Sequence, residues 1–103
     1  MQIEWLEPWH PVDEAERQSL EGELRKELAD GHPLFGKHLK IIGRRYDQDD
    51  VLCQIKDSKV VAIVHLTWKM AQETDPRWPT VQMFDDIASW IETSMKPENE
   101  LWS

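Results

Sequence analysis

Nucleophilic catalysis needs a nucleophile, a base and a group that orients the base. In this chain of 103 residues one set meets that description: Cys53, His65 and Asp50. All three fall on adjacent predicted strands, and antiparallel pairing would let them approach. The chemistry would be attack by a thiolate whose proton is taken by an imidazole. The competing reading is packing. A lone Cys in a strand is among the most buried residue types, and a His within an apolar strand ordinarily sits in the core with its nitrogens hydrogen-bonded. Packing is the stronger reading, so no catalytic residue is expected, and a small cysteine-dependent enzyme using Cys53 and His65 remains the alternative.

Metal and phosphate chemistry find less support. His10, His32, His38 and His65 show no paired-ligand spacing, and structural or catalytic metals need several such ligands together. Asp47-Gln48-Asp49-Asp50 begins like a calcium loop. Val51 and Leu52 then stand where an acceptor and a glycine are needed, so a polar hairpin turn is expected. Gly22, Gly31, Gly36 and Gly43 are scattered and form no phosphate-binding turn. Gly43 inside a strand predicts a bulge or a close approach by another group. No cofactor or metal is expected.

Indoles and charge are the remaining signals. Six Trp in so short a chain can anchor a small core and still leave rings for a surface. Trp68 closes the strongest predicted strand and Trp78 lies in a long loop. They can either cap the ends of the core or form a partner-binding patch rimmed by Glu73, Asp75, Asp85 and Asp86. The net charge of −8 repels phosphate backbones and anionic lipid heads and attracts basic proteins. Nucleic acid and membrane are therefore not expected partners. The one basic cluster, Lys37, His38, Lys40, Arg44 and Arg45, reads as a solvated strand face or a small anion contact. A single cysteine forms no internal disulfide, no apolar run approaches the ~20 residues of a membrane span, and Met1–Trp5 lacks the pattern of a secretory signal. These point to the cytoplasm.

The elements that must position these residues follow from spacing. Pro8 and Pro11 make residues 1–11 an extended arm. Residues 12–30 predict a helix: Asp13 caps it, Glu16 completes a capping box, Leu20, Leu24 and Leu28 recur every four residues, and Gly31 and Pro33 end it. Glu21, Glu23, Arg25, Lys26 and Glu27 make up its wide wet face. Residues 39–68 predict a three-stranded antiparallel meander, with turns at Asp47–Asp50 and Asp57-Ser58-Lys59. Val60–Trp68 is its central strand, apolar on both faces at its start. A second helix is expected over 80–94, capped by Thr80 and ended by Pro97, with a tail over 97–103. The expectation is one α+β domain over 1–103 with both helices on one face of the sheet and the other face partly open.

Three strings, His32-Pro33-Leu34-Phe35-Gly36-Lys37, Asp49-Asp50-Val51-Leu52 and Val64-His65-Leu66-Thr67-Trp68, together with Trp78-Pro79, resemble small bacterial proteins of about this length with no defined activity. At the level of class the chain looks like the immunity partners of bacterial toxins. That class-level likeness, together with the charge, implies a non-catalytic module that binds and neutralises a cognate basic toxin, and it carries over no site residues. A self-associating subunit, joined through an open sheet face or an edge strand, is a further reading.

Overall fold

In a computed structural model, residues 3–45, 47–68 and 78–102 are described. The strands are β1 (Trp9–Pro11), β2 (Leu39–Arg45), β3 (Asp50–Ile55), β4 (Val61–His65) and β5 (Thr80–Phe84). They form one sheet in the order β1-β2-β3-β4-β5, antiparallel throughout. Helix α1 (Glu14–Glu27) lies between β1 and β2. The chain closes with α2 (Ile87–Trp90), a π-helical turn (Ile91–Met95) and α3 (Lys96–Trp102). Among the described residues no helix is long and apolar enough to cross a membrane.

The three-stranded meander is thus corrected to five strands. The end of the arm pairs with β2, Trp9 opposite Arg45 and Pro11 opposite Gly43. Thr80–Phe84, expected as the first turns of a helix, pairs with β4 instead. The second helix begins later because its cap is Asp86, whose side chain accepts the Ser89 N–H at 2.8 Å. It also continues past Pro97. The Lys96 N–H reaches back to Ile91 O, and this wider π turn accommodates a residue that lacks an N–H and crowds the preceding turn.

The helices do not share a face. α1 buries Leu20, Leu24 and Leu28 against Ile41, Val51, Cys53 and Val64. The C-terminal helices bury Trp90 and Met95 against Trp9, Leu52, Val61 and Phe84. Val51 and Cys53 alternate with Leu52 along β3, so the two clusters lie on opposite sides of the sheet. Each face carries its own helix, because β3 and β4 are apolar on both sides and neither side can be left wet. Burying a side chain such as Leu24, Leu52 or Ile41 contributes about 1.5–3 kcal/mol.

α1 begins where expected, with Asp13 accepting the Glu16 N–H at 2.7 Å, but it ends at Glu27 with Leu28 extended, before Gly31, which takes φ 96° in the following turn. β1 stops at Pro11 and does not reach Ile41, whose N–H donates to Glu21 Oε2 at 2.9 Å. The β2–β3 register slips between Ile41 and Gly43, which is the expected bulge. The expected close approach is there too: the Trp5 ring lies over Gly43, where a side-chain carbon would stand.

This contrast is measurable by urea unfolding. Gly43→Ala should cost about 1–3 kcal/mol through overpacking against Trp5. Gly22→Ala, in α1 with open space around it, should stabilise by about 0.5–1 kcal/mol.

Candidate functional site

The residues with chemical potential gather at one end of the sheet, where β3 begins, β4 ends and β5 begins. Asp50, His65 and Thr80 form one rung across three strands. Ile63 and Gln82 form the next rung on the same face, and together they line an open cavity of about 320 Å³. His65 Nδ1 lies 2.7 Å from Asp50 Oδ1. The carboxylate accepts from Nδ1, which leaves Nε2 toward solvent on a ring that is half exposed. An imidazole held in this way can pass a proton or form one directed hydrogen bond with a docked group.

Cys53 is not part of this arrangement. It pairs with Ile41 and Ala62 on the α1 face, whereas His65 and Asp50 project from the other. The thiol is fully buried and burial pushes its pKa far up, with a smaller contribution from the Glu21 carboxylate. The candidate trio therefore does not converge, and the thiol lacks both solvent and base.

Trp68 and Trp78 emerge at this same end. His65 pairs with Thr80, so the two tryptophans lie three residues after and two residues before a shared rung. They are 40% and 44% exposed. Trp68 has a left-handed backbone, φ 56°, a conformation that costs a non-glycine residue of order 1–3 kcal/mol. A single side chain holds it there. Glu27 Oε1 accepts the Thr67 N–H at 2.9 Å and the Thr67 hydroxyl at 3.0 Å, and Glu27 Oε2 accepts the Trp68 N–H at 2.9 Å.

Glu27 is fully buried and Glu23, one turn earlier on α1, is nearly so. The two carboxyls are neighbours, and each disfavours charge on the other. Desolvation, then the Glu23 carboxyl, raise the Glu27 pKa above the ordinary glutamate value, while the Thr67 and Trp68 donors oppose the rise. His32 secures the other side of the opening. It is buried, its Nδ1 accepts the Leu34 N–H at 3.0 Å, and its Nε2 donates to Pro79 O at 2.8 Å.

Of the six residues expected to contact a partner, Trp68 and Trp78 are brought to one end. Glu73 and Asp75 lie outside the described residues. Asp85 and Asp86 follow the far end of β5, five residues from Thr80 and so about 17 Å away along a strand. Asp86 is occupied as the α2 cap. The basic cluster divides. Arg44 pairs with Glu16 at 3.1 Å, and Arg45 with Asp47 at 2.9 Å and Glu98 at 3.5 Å, while Lys37, His38 and Lys40 are exposed. Among the described residues no three His, Cys, Asp or Glu side chains gather as metal ligands. Glu23, Glu27 and His32 are the residues that sequence reasoning missed. A signal existed, since Glu23 and Glu27 stand three residues after Leu20 and Leu24, on the edge of the apolar stripe.

No protein family, curated protein or solved structure matches this chain.

Two measurements check this geometry. A carboxyl whose folded pKa is raised holds its proton more tightly in the folded state. Its contribution is therefore full below the ordinary glutamate pKa and is lost as pH rises through the raised value. The stability–pH curve of the wild type minus that of Glu27→Gln should fall over that window and then level. Near neutral pH, Glu27→Gln should also cost about 1–3 kcal/mol, because an amide donor then meets the Trp68 N–H. A thiol reagent should label Cys53 only as the chain unfolds; prompt labelling of the native protein would contradict its placement.

Proposed function

We propose that the chain is a non-catalytic, acidic protein-binding module. It takes a basic protein partner at the sheet end bearing Trp68 and Trp78, and in its sharpest form it is an immunity protein that neutralises a bacterial toxin. The observation that carries this reading is the pair of half-exposed indoles on a firmly held opening. Large rigid rings held in place in advance bind with little ordering cost, and Trp is enriched among binding hot spots.

Charge supports the choice of partner. A net charge of −8 steers a basic protein toward this surface and speeds its arrival. The buried, unpaired Cys53 suits a reducing cytoplasm. The Asp50–His65 pair, beside the indoles, offers a directed polar contact that would fix orientation.

The test is capture from the native host by wild-type protein and by a Trp68→Ser, Trp78→Ser double variant of unchanged circular dichroism. The wild type should retain a basic protein, with association slowing as salt rises. Each indole lost should weaken binding roughly thirtyfold, the equivalent of about 2 kcal/mol. Capture of no basic protein, or equal capture by both forms, would contradict the reading.

A further inference from the structure

Both faces of the sheet carry helices, so a second protein strand can reach the backbone only at an edge. The two edges differ. β1 has three residues and is bracketed by Pro8 and Pro11. β5 reads Thr80-Val81-Gln82-Met83-Phe84 and contains no charge, proline or glycine, in a chain that is 31% charged. Its register with β4 is continuous, without a bulge. Natural edge strands usually carry one of these guards against pairing with another chain.

The ladder shows which groups are on offer. Ile55 N–H donates to Val60 O and Leu66 N–H to Asp49 O, so the even-numbered residues of β4 bond to β3. Val61, Ile63 and His65 then bond toward β5, where they face Phe84, Gln82 and Thr80. Val81 and Met83 therefore direct their N–H and C=O groups outward. Among the described residues nothing takes them up. Met83 is 41% exposed, and Val81 is half-buried beside it on the α1 face.

We propose that β5 pairs antiparallel with β5 of a second copy of this chain about a two-fold axis at Gln82, which joins two sheets into one of ten strands. The self-complementarity of the strand argues for this occupant. In that register Val81 opposes Met83 of the second copy and Met83 opposes Val81. Both outward residues of each strand are used and four backbone hydrogen bonds form. Centring on Val81 or on Met83 would leave only one such pair. The register also sets Val81 on Met83 on one face, and Gln82 on Gln82 between Thr80–Phe84 pairs on the other, so no like charges are opposed. Asp85 and Asp86 fall opposite Pro79 and Trp78. They lie about 20 Å along the strand from their own equivalents, beyond the ~8 Å screening length at physiological salt. The interface is isologous and closed, as two-fold dimers require.

Sedimentation and light scattering over rising concentrations of the full chain test this. The mass should climb from the 12.2 kDa of one chain to twice that value and stop. The Val81 and Met83 amides should exchange slowly in concentrated protein and quickly on dilution. Met83→Pro removes an outward N–H without touching the β4 ladder, and Met83→Lys adds the missing guard at full backbone integrity. Each should hold the mass at one chain, and if the proline disturbs the fold the lysine variant decides. A wild type that stays monomeric throughout would overturn the proposal, as would a dimer that Met83→Lys leaves intact.

Discussion

The buried carboxyl of Glu27 is the contact on which the Trp68 end of this molecule depends. Taking a carboxyl out of water is expensive, and here three donors from Thr67 and Trp68 offset that cost. In return the chain is fixed as it leaves β4. Two successive N–H groups turned toward one carboxyl hold Trp68 left-handed, and that turn sets where its indole points. On the other side of the opening, His32 fixes Pro79 and hence the entry to β5. Both clamps come from α1 or the segment just after it, so one helix positions both exits of the β4–β5 connection.

The second constraint is that β3 and β4 are apolar on both sides. A sheet of that kind is stable only when covered twice, and the chain supplies one cover from each end. The C-terminal cover is anchored by indoles. Trp90 meets Trp9 edge-on at a centroid distance of 5.2 Å and Trp5 at 6.0 Å. Trp9 Nε1 donates to Glu98 and Trp102 Nε1 to Glu7, which ties α3 to the N-terminal segment. Four of the six tryptophans thus serve the fold, while Trp68 and Trp78 are exposed at one end of the sheet. With both faces covered, the backbone of the sheet is reachable only at its ends and edges.

Local signals in the sequence were sufficient where one pattern dominated. The Asp13 cap and the Leu20, Leu24, Leu28 spacing specified α1, and the Val and Ile runs between polar turns specified β2, β3 and β4. Gly43 announced a bulge or a close approach, and the fold has both, though nothing in the sequence named Trp5 as the neighbour. Thr80–Phe84 misled because Met83 and Phe84 also fit the helical spacing of Ile87, Trp90 and Ile91, and Thr80 is as good a cap in isolation as Asp86. Pairing with β4 decided between them, and that is a tertiary fact. The same holds for β1, where prolines excluded a helix without revealing a strand. The assignment of the helices to opposite faces was implicit in the two apolar sides of β4. Glu23 and Glu27 were hidden because acidic residues on a highly charged helix look solvated until a partner such as the Thr67–Trp68 backbone is known.

Hydrogen exchange at the Trp68 amide tests the central role of Glu27 most directly. The side chain of Trp68 is exposed and sits at the end of a strand, where a backbone N–H would ordinarily exchange within a loop's time. Clamped by a buried carboxylate, that amide should instead be protected to the level of the Val64 amide inside β4, and Thr67 with it. Exchange of the Trp68 amide at the rate of an open loop, with Val64 still protected, would contradict the account.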